Sequence, residues 1–503
     1  MLILSKDNLK HIHAAGYSLP DKSIFELPEK VLQFGTGVLL RGLPDYFIDK
    51  ANRNGIFNGR IVVVKSTDTG STDAFDRQDG LYTIYSKGIE NGVEVSEQLI
   101  CSSISRVLSA ASQWQSIIEV AKSPNLKIVI SNTTEVGIQL VNETISQQPP
   151  ASFPAKLLAL LYARYKTFEG NADSGLIIIP TELIVDNGKK LKAIVIELAA
   201  YNKLGNDFAN WLQNNNTFCN SLVDRIVTGA PAKELVPVLE QERGYRDELH
   251  ITSEIYKLWA IEGDEKVTEA ISFCKADKGV VITVDIELFR ELKLRLLNGS
   301  HTLSCAAAVL AGFTTVKQAM DDNGFSKFLS ALAFDEIAPA IPYDIEPQVA
   351  IDFAGSVLDR YRNPCIKHEW LSIAVQYTTK MKMRVIPLLL NHYKIYDHPP
   401  VNIALGFAAY LRFMKVIPAA NNTYTGLING KEYTVTDGQA PYFSNIWENN
   451  TINNVVDKVL SNHELWDTDL SALPGFTQVI IRNLHSIEAE GITRLLTTEQ
   501  EVK

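Results

Sequence analysis

At 503 residues the chain exceeds the roughly 250–300 at which a single hydrophobic core stops growing, so two domains are expected. A composition of 46% hydrophobic and 21% charged residues excludes a disordered chain. The formal charge of -10 opposes a nucleic-acid partner, because phosphate backbones are gripped through surplus Lys and Arg.

The N-terminal stretch MLILSKDNLKHIHAAG has neither a basic start nor a long apolar run, so no export signal is expected. The most apolar windows, KIVI before Ser131 and LIIIP ending at Pro180, fall far short of the roughly 20 residues that span a bilayer. A cytoplasmic protein without a membrane partner is expected. Cys101, Cys219, Cys274, Cys305 and Cys365 form no CxxC pair and are read as reduced, mostly buried thiols, with no metal site.

Short β-branched runs alternate with amphipathic segments between about residues 30 and 285: VLQF (31–34), IVVV (61–64), KIVI (127–130), LIII (176–179) and VVITV (280–284). Strands that are continuously apolar suit a parallel sheet covered on both faces, which predicts an α/β, doubly wound, Rossmann-type first domain over 1–285. After Asp285 the spacing turns to three and four, in ELFRELKLRLL, AAAVLAGF and VNIALGFAAYLRFMKVI, predicting a mainly α-helical domain over 286–503. The turn-rich stretch 419–439 is read as a surface excursion.

The run VLQF leads directly into Gly35-Thr36-Gly37 and then a helical pattern. That order lets backbone N–H groups face a pyrophosphate where glycine removes the side chain. Phe34, Gly35, Thr36, Gly37, Val38, Leu39 and Arg41 are the cofactor candidates here, although Leu40 replaces the third glycine of GxGxxG. At the end of the second run, Lys65 and the later Asp68 stand where the ribose hydroxyls or a 2′-phosphate would be read, so NAD is expected with NADP as the lesser alternative. In Ser131-Asn132-Thr133-Thr134-Glu135, Asn132 and Thr133 are either cofactor contacts or caps of a following helix.

In ELKLRLLNGSHTLSCAAAVLAGF, Lys293, Asn298 and His301 stand at i, i+5 and i+8. On an α-helix they fall at about 0°, 140° and 80°, one broad face carrying an amine, an amide and an imidazole. Hydride removal from an alcohol carbon needs a base for the hydroxyl proton, the role Lys293 suits. The developing oxyanion needs donors, the role Asn298 and His301 suit. A solvated lysine, an Asn-Gly turn and a core histidine are the plain structural alternatives. Gly299 signals either a helix break or a close approach.

Taken together, Gly35-Thr36-Gly37 with Arg41, Val223-Asp224-Arg225-Ile226, the Lys293/Asn298/His301 spacing and Arg362-Asn363-Pro364 resemble the mannitol dehydrogenase, or polyol-specific long-chain dehydrogenase, family across nearly the whole chain. LQFGTGVLLRG, QDGLYT, SNTTEVGI, PTELI, DRIVTG, LNGSHT and RNPCIKH look like its hexuronate branch. The resemblance implies a Rossmann-type domain, a helical domain, no catalytic metal, and a Lys–Asn–His site that moves a hydride between a keto-hexuronate and its alcohol.

It further implies that Asp224 contacts substrate, while the family's substrate-contacting Asn falls on Leu183, which speaks against mannitol. A hexuronate needs a cation for its carboxylate, and TTKMKMRVIP offers Lys380, Lys382 and Arg384, with Lys380 and Arg384 the favoured pair. His368 stands where polyol members tend to have an acid. Other keto sugars of the family are alternative substrates, a noncatalytic sugar or nucleotide sensor is the alternative of another class, and the assembly is expected to be a monomer or small homo-oligomer.

Overall fold

The computed structural model describes residues 1–12, 16–67, 70–134, 136–420, 423–428 and 430–497. Its internal contacts divide the chain into one unit of residues 1–87 and 94–286 and another of 88–93 and 287–503.

The first unit is organised by six parallel strands: β1 (Glu29–Phe34), β2 (Arg60–Lys65), β3 (Ile104–Ser109), β4 (Ile128–Ser131), β5 (Ile177–Pro180) and β6 (Thr217–Phe218). They lie side by side in the order β3-β2-β1-β4-β5-β6, the doubly wound arrangement of dinucleotide-binding domains. Their unbroken apolar character has a direct cause. Val31, Ile61, Val63, Ile128 and Ile130 enter one core, while Leu32, Phe34, Val62, Val64 and Val129 enter another on the opposite face.

Two details depart from the sequence reading. The run VVITV joins a separate three-stranded sheet, where Val280–Thr283 pairs at an edge with Leu258–Glu262, so apolarity alone did not say which sheet it belonged to. Conversely, β3 reads I-S-R-V-L-S; it is an edge strand whose Arg106 faces solvent and pairs with Glu29 at 2.9 Å, so its apolar run is interrupted. The helical segment after the glycine turn is split at Leu43, just before Pro44, into α1 (Val38–Gly42) and α2 (Pro44–Arg53).

The second unit is mainly helical. Its central pair is α3 (Ser300–Leu310) and α4 (Val401–Phe413), which approach so closely that a Cβ on Gly406 would lie 2.7 Å from the Leu303 carbonyl oxygen. Runs of alanine on both helices, Ala306–Ala308 and Ala404, Ala408 and Ala409, are fully buried and permit this spacing. Lys293–Gly299 and Met381–Val385 are π-helical, the first running into α3. Within the turn-rich stretch, Tyr424–Ile428 and Lys431–Val435 form a hairpin with Val416–Pro418 at its side. It is fastened by Tyr433, whose ring stacks on Phe413 and whose hydroxyl donates to the Phe413 carbonyl. Among the described residues no helix is long and apolar enough to cross a membrane.

Candidate active site

The glycine turn is a patch of bare backbone. Gly35 has φ +129°, and a Cβ there would meet Leu40 at 2.9 Å and the Asn132 carbonyl oxygen at 3.1 Å, so glycine is required. Gly37 is exposed with nothing within 4 Å of its Cβ position, leaving the start of α1 open to a ligand. The glycine missing at position 40 has a counterpart two residues on. A Cβ at Gly42 would lie 2.8 Å from Val227, so Gly42 supplies the close helix-to-strand packing. These features fit a dinucleotide pyrophosphate.

The side chains around the turn are mostly committed to the protein. Phe34 is buried in the sheet core, and Val38 and Leu39 are half-buried at the helix start. Arg41 turns inward, donating to the Leu249 carbonyl at 2.6 Å beneath the rings of Phe75 and Tyr82, which makes it a brace for α1. Lys65 is buried and donates to the Thr67 carbonyl. Asp68 lies outside the described residues.

No helix begins at Asn132 or Thr133. Instead Asn132 donates to both oxygens of Thr181 at 3.0 and 3.1 Å, and Thr133 donates from its backbone and hydroxyl to Glu182 at 2.8 and 2.9 Å. Burial pushes the Glu182 carboxyl up, against the pull of these hydrogen bonds. The loop is thus stitched to the end of β5 by a residue inside the PTELI motif, next to the exposed Leu183, that the sequence reading passed over. Asp224 is buried at the end of the strand Ser221–Asp224. Its neighbour Arg225 is fully enclosed and donates to the Gly42 carbonyl and the Ser86 hydroxyl.

In the helical unit the candidate trio does not stand on plain α-helix. Lys293 opens the π segment and Asn298 is its sixth residue, so i→i+5 bonding puts Asn298 about one turn above Lys293, closer in angle than α geometry gives. Gly299 has ordinary helical angles and no break. Its open flank faces Arg384, whose carbonyl oxygen lies 3.9 Å from the Cβ position.

Side chains add donors to the carbonyls of this stretch. Ser300 donates to Leu296, Tyr361 to Leu297 at 2.8 Å, and Thr302 to Asn298 at 2.7 Å. The sequence reading missed these residues. Ser300 and Thr302 had a signal, each four residues beyond its carbonyl inside LNGSHT, whereas Tyr361 had none.

His301 is buried and its Nε2 has no hydrogen-bond partner among the described residues. Its ring stacks on Tyr361 at 4.1 Å and meets His368 edge-on at 5.1 Å. Burial first, then the nearby His368, Arg360, Arg384 and Lys380, push its pKa well below the usual value, so the imidazole is neutral. The Asn298 carboxamide also lacks a protein partner among the described residues, while Lys293 and Asn298 are both half-buried.

The three basic candidates separate. Lys382 pairs with Asp467 at 2.7 Å. Lys380 donates to the Ile373 carbonyl at 2.8 Å, and burial lowers its pKa. Arg384 uses only Nη1, toward Thr302 Oγ1 at 3.1 Å and the Asn298 carbonyl at 3.4 Å, leaving Nε and Nη2 without a protein partner among the described residues. The structure therefore gathers Asn298, His301, His368, Lys380 and Arg384 in one neighbourhood, with Lys293 on the same π segment. Among the described residues no group of three or more His, Cys, Asp or Glu is placed to hold a metal ion.

Comparison with known proteins bears on both units. Residues 29–273 match the family model of the mannitol dehydrogenase Rossmann domain, and residues 285–488 that of the mannitol dehydrogenase C-terminal domain. The chain is 36% identical over 479 residues to an altronate oxidoreductase of Pectobacterium carotovorum, covering 92% of this chain and 96% of the relative. To an altronate oxidoreductase of Bacillus subtilis it is 35% identical over 476 residues, covering 94% and 95%. Its fold is shared with Pseudomonas fluorescens mannitol 2-dehydrogenase, solved as a ternary complex with NAD and D-mannitol, at TM-score 0.65, 21% identity and coverage of 98% and 99%. A D-sorbitol dehydrogenase in substrate-free form gives TM-score 0.78 at 19% identity, covering 98% and 100%.

Proposed function

The chain belongs to the mannitol dehydrogenase family, and from that premise we propose that it is an oxidoreductase interconverting D-tagaturonate and D-altronate with a nicotinamide cofactor. The substrate pair follows the altronate oxidoreductases to which it is 35–36% identical along nearly their whole length. The observation that carries the reading is the buried, unpartnered Nε2 of His301 on the same helix as the unpartnered carboxamide of Asn298 and the amine-bearing Lys293. A polar atom left so in a core is costly unless a ligand takes it up.

In the reduction, the keto oxygen accepts from the Asn298 carboxamide and from His301, which donates as a neutral imidazole with its proton on Nε2. As negative charge grows on that oxygen both hydrogen bonds strengthen, and Lys293 delivers the proton that completes the alcohol. In the reverse direction Lys293 takes that proton back. Neutrality of His301 suits this division of labour, since a cation there would hold the oxyanion and discourage its protonation.

At the other end of the substrate, Arg384 presents Nε and Nη2 in the planar fork that matches a carboxylate, with Lys380 adding positive potential. His368 forms a wall beside His301.

The cofactor's pyrophosphate is held by backbone of Gly35, Thr36, Gly37, Val38 and Leu39, with Asn132 and Thr133 shaping the adjoining loop and Arg41 bracing α1 from beneath. When bound, the nicotinamide supplies or takes up the hydride. NAD is preferred over NADP because Lys65 is buried and already donates to the Thr67 carbonyl, which weakens it as a reader of a 2′-phosphate. The enzyme works in the cytoplasm, as a monomer or small homo-oligomer, on a small soluble acid.

The test is NADH or NADPH consumption by the purified chain with tagaturonate, fructuronate and fructose. The highest kcat/KM is expected for tagaturonate with NADH. Faster turnover of fructose or fructuronate would reassign the substrate, and NADH binding without turnover of any of them would make the chain a sensor.

A further inference from the structure

We propose that Arg295 is the positioning residue of this site: it locks the π-helical segments Lys293–Gly299 and Met381–Val385 in register and thereby sets the separation between the groups that hold the keto oxygen and the group that holds the carboxylate. What is positioned rests on the function proposed above. The lock itself rests on geometry alone.

The Arg295 guanidinium is buried, 6% exposed, and every edge of it is used. Nε and Nη2 donate to the two oxygens of Glu291 at 2.8 and 3.2 Å, and Nη1 donates to the carbonyls of Met383 at 2.7 Å and Arg384 at 3.0 Å. The Met383 carbonyl gains a donor that α register could not give it. In α register its partner would be the N–H of residue 387, which is Pro387 and has none. Arg295 replaces the missing N–H from the opposite segment.

The grip is returned. Arg384 reaches back with Nη1 to the Asn298 carbonyl and to Thr302, so each segment's arginine holds the other segment's backbone. Gly299, at the crossing, keeps the Arg384 carbonyl within reach. Asn298 and Arg384 are therefore tied to one another through Arg295, and a shift of one segment along the other moves the oxyanion donor relative to the carboxylate clamp. A lysine cannot reproduce this, because one ammonium has no planar fork to serve a carboxylate and two carbonyls together.

The experiment compares the parent chain with Arg295→Lys and with the double variant Glu291→Met/Arg295→Met, which removes the buried ion pair as a pair so that no lone charge is left in the core. Each is assayed with tagaturonate and NADH and probed by amide hydrogen exchange across residues 381–388. Misfolded protein lowers the apparent kcat and leaves KM alone, whereas a displaced Arg384 raises KM. Expected is a KM for tagaturonate raised by about 30-fold in the double variant, with NADH binding unchanged. A smaller rise is expected in Arg295→Lys, with faster exchange in 381–388 in both. A parent-like KM in either folded variant of an active enzyme overturns the positioning role. If the parent chain does not reduce tagaturonate, the substrate reading falls instead, and parent-like exchange in 381–388 is then the result that overturns the lock.

Discussion

The glycine turn at residues 35–37 and the π segment at 293–299 solve opposite problems. The turn is a site made of backbone: side chains are removed at Gly35 and Gly37, and those nearby, Arg41, Lys65 and Asn132, are turned toward protein partners. The π segment is a site made of side chains: its carbonyls are silenced by Ser300, Thr302 and Tyr361, and what stays unpartnered is the Asn298 carboxamide and the His301 Nε2. On the reading proposed above, one region recognises through what it lacks, the other through what it holds apart from its own neighbours.

That contrast is broken or sharpened most forcefully by Lys293→Ala, which should lower kcat by about 10²-fold or more while NADH binding, followed by fluorescence titration, stays intact. Unchanged turnover would remove Lys293 from the chemistry. Next in size, Arg384→Gln should cost roughly 30-fold in kcat/KM for tagaturonate, the worth of one charge-assisted hydrogen-bonded contact, and should cost less toward neutral keto sugars, which lose only its grip on Asn298 and Thr302. An equal loss on fructose would show that Arg384 serves the fold and not the carboxylate.

Gly35→Ala attacks the other region. Strain at its positive φ, about 1–2 kcal/mol, should weaken NADH binding by roughly tenfold and leave the KM for tagaturonate alone. Parent-like NADH affinity in that variant would contradict a backbone-built cofactor site.

The smallest effect concerns pH. Burial pushes Glu336 up from 4.5 to about 7, although the Asn402 and Ile403 N–H groups donate to it at the start of α4. The folded chain holds a proton there that the unfolded chain releases near 4.5, so this contribution is full below 4.5 and is lost as pH rises toward 7. Asp45 in the N-terminal unit is likewise pushed up to about 7 by burial. Glu336→Gln should therefore flatten part of the fall in the chain's melting temperature between these pH values. Identical melting profiles would show that Glu336 is ionised in the fold.

Much of this was legible beforehand, for uneven reasons. Two-sided burial writes itself into a strand as an unbroken apolar run, so β1, β2, β4 and β5 were visible, while the edge strand β3, with Arg106 in solvent, was not. The Gly35 turn announces itself because no other residue type fits there. The residue types and order of the helical trio were legible too, but not their register. Whether a helix runs in α or π register depends on partners remote in sequence, Tyr361, Arg384 and the Pro387 whose missing N–H Arg295 replaces. Arg41 is a cofactor candidate in the chain, and in the fold its guanidinium donates to the Leu249 carbonyl, a partner that only three-dimensional proximity reveals.

The π turn at 293–299 carries one more consequence. A turn closed by i→i+5 bonds contains one residue more than the α turn it replaces, so the segment holds a surplus residue. Deleting any single apolar position between Lys293 and Asn298 would let the helix relax into ordinary α form with no loss of helicity, and would leave Lys293 and Asn298 four residues and about 40° apart, still on one face. The amine and the carboxamide would then keep their shared face in a helix one residue shorter.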